Sequence, residues 1–251
     1  RRIVYLLASG VRPDRIVAFT FTEKAAASMK ERIYRRVREI LGEDACRSLG
    51  DTFIGTMHSF AGRILQDHFG FGDHEIMDEN EQVAFLLQRG WEIGLDEAAR
   101  RASSSYGDYC IRFLKSEAVV NDEMLDLSRV VGADGTRMFQ DLVERYWDHL
   151  SKNRLLTFGR LIRLCAENLE RNPGVLSVEH LIVDEYQDIN RAQEAMINAI
   201  INRPGIKSSM IVGDPRQCIY EWRGSDPECF DRFASVRDTE TIQLLSNFRS
   251  G

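Results

Sequence analysis

At 251 residues, with 43% hydrophobic and 29% charged side chains, the chain is long enough for one large domain or a domain carrying an insertion, with an ordinary globular balance. A formal net charge of −6 excludes nucleic-acid binding through overall basicity and leaves room for a local basic groove. No apolar run reaches the length of a membrane span, and the opening Arg1-Arg2-Ile3-Val4-Tyr5-Leu6-Leu7 is too short and abrupt for a signal peptide. The cysteines, Cys46, Cys110, Cys165, Cys218 and Cys229, form no CxxC pair and have no histidine at zinc spacing; their odd number points to free thiols and a cytoplasmic setting.

In chain order, the apolar run at 15–20 predicts a buried strand, and the pattern at 23–40 a helix. A second strand is expected at 52–55 and a second helix at 59–68. From about 71 to 155 strand-like runs disappear. Helical patterns at 79–89, 110–119 and 138–150 take over, punctuated by polar stretches such as Ser103-Ser104-Ser105 and Gly132-Ala133-Asp134-Gly135. Trp91 and Trp147 are expected in the core of this region. The strand pattern then returns at 180–183 and 209–212, around a helix at 191–201, and a fifth run at 241–245 leads into Asn247-Phe248-Arg249. Near-continuous apolar runs, each followed by a polar loop and a helix, are the signature of a parallel sheet in an α/β domain. The organisation expected is a first part of the sheet domain at 1–70, a mostly helical insertion at 71–155 and the remainder at 156–251.

Leu181-Ile182-Val183-Asp184-Glu185 ends a buried strand in adjacent carboxylates, at the sheet edge where open α/β folds bind ligands. One could hold magnesium through its water shell while the other polarises an attacking water. Taken alone, the pair reads more readily as a cap for the helix that follows. Val212-Gly213-Asp214-Pro215-Arg216-Gln217 repeats the strand-then-loop pattern, with a glutamine able to sense a terminal phosphate. Asn247-Phe248-Arg249-Ser250 adds a guanidinium suited to charge on a transferring phosphoryl group. Three such loops in one parallel domain favour nucleotide hydrolysis over a helix cap. The basic stripe Lys24, Lys30, Arg32, Arg35, Arg36 and Arg38 reads as a solvated helix face, offset by Glu31 and Glu39.

Five segments together resemble the motifs of UvrD/Rep-type superfamily 1 DNA helicases. Ala18-Phe19-Thr20-Phe21-Thr22-Glu23-Lys24-Ala25-Ala26-Ala27-Ser28-Met29 resembles motif Ia, and Thr56-Met57-His58-Ser59-Phe60 the next DNA-contacting motif. Val183-Asp184-Glu185-Tyr186-Gln187-Asp188 is similar to motif II, the Walker B variant of the family. The run from Gly213 to Gly224 resembles motif III, and Asn247-Phe248-Arg249-Ser250 motif IV. The resemblance implies a RecA-like P-loop NTPase fold using ATP and magnesium. It casts Asp184 as magnesium ligand, Glu185 as activator of the hydrolytic water, Gln217 and Arg249 as γ-phosphate contacts, and Phe248 as a stack on adenine. On the DNA side it implies base platforms at Phe21, Tyr220 and Trp222, with Thr22, Lys24, Thr56, His58 and Arg223 nearby; stacking grips any base. Read without the resemblance, Phe21 would be core, and His58 a satisfied polar residue at a strand end.

The family's motif Ia has asparagine where this chain has Glu23, and its motif III has serine where this chain has Cys218. The phosphate-cradling Walker A loop is expected just upstream of Arg1, since no such sequence occurs within the 251 residues. The function implied is ATP-driven translocation on single-stranded DNA, with 3′ to 5′ unwinding of partly duplex DNA in repair or recombination. The chain by itself is expected to be inactive. The alternatives are the helicase half of a recombination helicase–nuclease and a non-catalytic DNA-binding or interaction module.

Overall fold

A computed structural model describes residues 1–129, 134–217, 228–236 and 239–244. The chain opens with α1 (Arg2–Ala8), β1 (Ile16–Phe19), α2 (Glu23–Leu41), α3 (Glu43–Arg47), β2 (Phe53–Gly55) and α4 (Met57–Phe69). Then come β3 (Glu75–Met77), α5 (Glu79–Arg89), α6 (Leu95–Arg101), α7 (Tyr106–Asp122), α8 (Asp134–Lys152) and β4 (Leu155–Thr157). The order closes with α9 (Phe158–Arg171), β5 (His180–Val183), α10 (Arg191–Ile201), β6 (Ser208–Ile211) and α11 (Cys229–Val236).

The main sheet is parallel, in the order β2-β1-β5-β6. β1 sits between β2 and β5, with Phe19 opposite Gly55 on one side and Val183 on the other. Every residue of β1 and β5 is buried, because both faces of the sheet are covered. Successive side chains serve opposite cores. Val17, Phe19, Leu181 and Val183 pack with Phe60, Leu65, Leu161, Leu169, Met196 and Ile197 from α4, α9 and α10. Ile16, Ala18, Ile54 and Ile182 pack with Ile3, Val4 and Leu6 of α1 and with Ile33 and Val37 of α2. The fold is thus α/β and RecA-like, as expected.

The helices that follow β1, β2, β4 and β5 begin with a side-chain cap, which satisfies a first-turn N–H and fixes the entry angle. Thr22 accepts from Ala25 N, Thr56 from Ser59 N and Thr157 from Arg160 N. Asn190 and Gln193 form a reciprocal capping box at the start of α10.

Residues 77–150 supply a second core of their own, with Leu86, Leu95, Cys110, Phe113, Leu142, Val143 and Tyr146 fully or nearly buried. Between this core and the first lies a buried polar joint. The Glu117 carboxylate accepts from Trp147 Nε1 and from Asn121 Nδ2, both at 2.6 Å. Arg160 lies over the Trp147 ring, 4.0 Å from its centroid. Burial pushes the Glu117 carboxyl pKa up, against the pull of those hydrogen bonds. A further hydrogen bond crosses to the sheet domain: Asn190 Nδ2 donates to Asp122 Oδ1 at 2.9 Å, joining the end of α7 to the cap of α10.

Three expectations need correction. The region 71–155 is not free of strands, since β3 pairs in parallel with β4, Ile76 opposite Leu156. A three-residue strand is too short to show alternation, and its partner lies eighty residues away. Trp91 is 63% exposed, not core. It occupies a 3₁₀ turn, Gly90–Ile93, whose Gly90 and Ile93 face inward, and its indole N–H is satisfied by Gln88 O at 3.1 Å. Trp147, by contrast, is half-buried and packs against the second core at the joint just described. The run at 241–245 forms no strand over its described residues 241–244, where Ile242 and Leu244 stand in solvent.

Candidate functional site

The carboxyl ends of all four main strands open on one edge, so the loops after them are neighbours by construction. β5 runs out at Val183 into Asp184, whose N–H donates to Phe19 O at 3.0 Å. Glu185 follows in the left-handed region, φ 53° and ψ 45°, a conformation few side chains larger than glycine adopt. The turn sends the two carboxylates apart: Asp184 is half-buried, Glu185 is exposed.

Gln187, buried at 2% exposure, holds this turn to the next strand. Its Nε2 donates to Glu185 Oε2 at 2.8 Å, and its Oε1 accepts from Asp214 N at 3.1 Å. Tyr186 N donates to Val212 O at 3.0 Å, so the β5 and β6 loops are stitched by backbone and side chain together. On the β6 loop Asp214 accepts from Arg216 N and from Gln217 Nε2, which places the Gln217 amide on the same edge. These bonds hold the Asp214 carboxyl below the usual range. Sequence reasoning gives Gln187 no role beyond membership of the Asp-Glu-Tyr-Gln-Asp run; its place as the bridge depends on a partner 27 positions away.

Desolvation, then the charge of Glu185, raises the Asp184 carboxyl pKa, against a bond from Glu185 N and the attraction of Arg32. A hard oxygen donor, partly desolvated and short of positive charge, fits a divalent cation that keeps water and phosphate oxygens in its shell. The linkage has a definite sign. A folded-state pKa above the unfolded one means that the ionised Asp184 opposes folding above its folded pKa, and the penalty fades as pH falls to the ordinary aspartate range. Asp184→Asn is therefore expected to raise the melting temperature of the metal-free chain at neutral pH and to give no gain in acid. A lower melting temperature at pH 7 would contradict this assignment.

β1 and β2 end in the second half of the site. The first turns of α2, α4 and α9 and the strand β3 enclose a cleft of about 590 Å³, lined by Phe21, Thr22, Glu23, Thr56, His58, Ser59, Ile76, Phe158 and Leu161. Phe21, Ile76 and Phe158 are 38%, 37% and 47% exposed, so they are open faces rather than core. His58 meets Phe158 edge to face, centroids 5.5 Å apart, and burial lowers its pKa, leaving a neutral ring at pH 7. The Thr56 hydroxyl donates to Glu23 Oε1 at 2.7 Å, tying α4 to α2. Of the residues expected here, Phe21, Thr22, Thr56 and His58 converge on the cleft, while Lys24 is exposed on α2 and does not line it. Sequence reasoning misses Ile76 and Phe158, because nothing in their local sequence marks them. Tyr220, Trp222, Arg223, Phe248 and Arg249 lie outside the described residues.

A parallel sheet with a strand-end carboxylate pair, bonded through Gln187 to the loop of the next strand, defines the class: a RecA-like α/β domain. Over residues 1–237 the sequence matches the UvrD/REP helicase N-terminal domain, and the chain belongs to that family. It is 34% identical over 260 residues to the ATP-dependent DNA helicase PcrA of Bacillus subtilis, covering 99% of this chain and 33% of that protein. Against DNA helicase II of Haemophilus influenzae it is 31% identical over 259 residues, with 99% and 34% covered. Against DNA helicase II of Escherichia coli it is 30% identical over 260 residues, again with 99% and 34% covered. The chain thus spans about a third of the length of these relatives. No helix among the described residues is long and apolar enough to cross a membrane, and Cys46, Cys110 and Cys165 are free thiols.

Proposed function

We propose that this chain is the first motor domain of an ATP-dependent DNA helicase that translocates on single-stranded DNA. The observation that carries the reading is the adjacency of β1 and β5. It puts the carboxylate loop and the aromatic cleft on one edge of one sheet, so that a change at either is one strand away from the other. Residues 1–70 and 156–251 then form the motor domain, and 71–155 an inserted subdomain, a division supported by the separate core around Phe113 and Tyr146.

In this reading Asp184 would hold magnesium together with water, and the bound ion would supply positive charge against the phosphoryl oxygens. Glu185 takes a proton from the attacking water, with its carboxylate aimed by Gln187. Gln217, tethered to Asp214, meets the terminal phosphate, as the resemblance implies for it and for Arg249. Phe248 stacks on adenine. Phe21 and Phe158 offer faces to bases, and the resemblance implies the same role for Tyr220 and Trp222, with Arg223 and Lys24 as further DNA contacts. The resemblance further implies 3′ to 5′ movement, a role in DNA repair or recombination, and a cytoplasmic location.

The 251 residues contain no glycine-rich Lys-Thr/Ser loop, so the purified chain is expected to bind single-stranded DNA without turning over ATP. Phe158→Ala should weaken that binding by roughly 1–3 kcal/mol, the usual worth of a stacked base. Fluorescence anisotropy with a labelled oligomer measures the binding, and phosphate release measures turnover. Unchanged affinity in Phe158→Ala would remove the cleft from the DNA path, and DNA-stimulated turnover would overturn the inactivity.

A further inference from the structure

The cleft has an unusual electrostatic make-up for a surface that meets a polyanion. Among the described residues that line it there is no lysine or arginine. The sole formal charge at neutral pH is the Glu23 carboxylate, since burial lowers the His58 pKa. The first-turn N–H groups that could hold a phosphate are partly engaged by the threonine caps on Ala25 and Ser59, and Glu23 itself offsets the positive end of α2. The walls are apolar, from Phe21, Ile76, Phe158 and Leu161. Such a surface suits the ring of a base, not the phosphate that carries it.

A glutamate in the first turn of a helix has a bland explanation, the attraction of a carboxylate to a helix N-terminus. Glu23 does more than that. Its Oε1 takes the hydroxyl of Thr56 from a different helix at 2.7 Å, which turns the carboxylate into the cleft. Oε2 makes no hydrogen bond to any described residue. A strong acceptor with spare capacity therefore stands beside an aromatic face.

We propose that Glu23 selects the base seated against Phe158, accepting a hydrogen bond from an exocyclic amino group, so that the cleft prefers cytosine to uracil or thymine. This rests on the reading that the cleft holds bases of single-stranded DNA. A carboxylate accepts from cytosine N4, whereas uracil and thymine present a carbonyl oxygen at that position, which a carboxylate repels. Purines carry amino groups too, so the discrimination falls on the two keto pyrimidines.

The test uses the purified 251-residue chain and short labelled homo-oligomers of dC, dU and dT, at low salt and mildly alkaline pH, read by fluorescence anisotropy. The dC and dU comparison changes the C4 substituent and its ring tautomer without adding a methyl group, and it needs no variant. The expected result is dC bound roughly fivefold tighter than dU, with dT close to dU, a modest figure because Glu23 is solvent-accessible. In Glu23→Gln the dC to dU ratio should fall to about one, because a neutral amide can both donate and accept. Equal affinities of the unaltered chain for dC and dU would overturn the inference while leaving the cleft as a DNA site. A dC preference retained by a folded Glu23→Gln variant would overturn it as well. Failure to bind any of the three oligomers would overturn the DNA reading, and base selection with it.

Discussion

Replacing Glu185 by Gln should lower kcat for ATP by about a thousandfold or more, with ATP affinity held within about twofold, in a polypeptide that joins this chain to a phosphate-binding loop. The substitution preserves shape and one acceptor oxygen. The bond from Gln187 Nε2, 2.8 Å in the native carboxylate, can therefore persist, and the loop keeps its left-handed turn. What is lost is the capacity to take a proton from water. Steady-state phosphate release together with equilibrium nucleotide binding separates the two effects. If binding and turnover fall in parallel, Glu185 belongs to the nucleotide pocket and not to proton transfer.

The second large effect is steric. A Cβ on Gly213 would stand 2.2 Å from Gln187 Oε1, 2.9 Å from the Phe230 ring and 3.0 Å from the backbone nitrogen of Tyr186. The glutamine cannot swing aside without dropping its bonds to Glu185 and to Asp214 N, and the Tyr186 contact is backbone. Gly213→Ala should therefore destabilise the fold by about 2–4 kcal/mol, from overpacking and lost buried hydrogen bonds. That corresponds to a fall in Tm of roughly 5–15 °C. Gly62, within α4 and with nothing close to its added Cβ, provides the control. Alanine there should leave Tm unchanged or slightly raised. Thermal unfolding followed by circular dichroism reads both, and an unchanged Tm in Gly213→Ala would refute the tight joint.

Part of this architecture is legible in the amino-acid order alone, and the boundary is physical. β5 and the helix after it fall where the sequence places them, at 180–183 and 191–201, because a strand buried on both faces leaves an unbroken apolar run and a capped helix leaves its own periodicity. The expectation that Asp184 and Gln217 share an edge rests on adjacent strands, and β5 does pair with β6. The cleft is half legible. Phe21, Thr56 and His58 stand in strand-end motifs, but Phe158 and Ile76 arrive from a helix and a strand that close over them from the other side. That residues 21 and 158 line one cleft has no local signature. Trp91 misleads for a different reason: residue type gives the average tendency to burial, while the 3₁₀ turn at Gly90–Ile93 decides which side faces in.

The bond between Asp122 and Asn190 makes the two parts of the molecule partners in one small mechanical circuit. The Asn190 side chain is divided: its oxygen caps Gln193 N, and its amide reaches across to the last residue of α7. Two residues before it lies Asp188, the end of the turn that carries Glu185 and Gln187. Tilting the helical unit so that Asp122 withdraws leaves the Asn190 amide to water and loosens the capping side chain. On the proposed role of Glu185, such a tilt would be felt two residues from the turn that follows it, and the helical unit would act as a lever whose short arm rests on that loop.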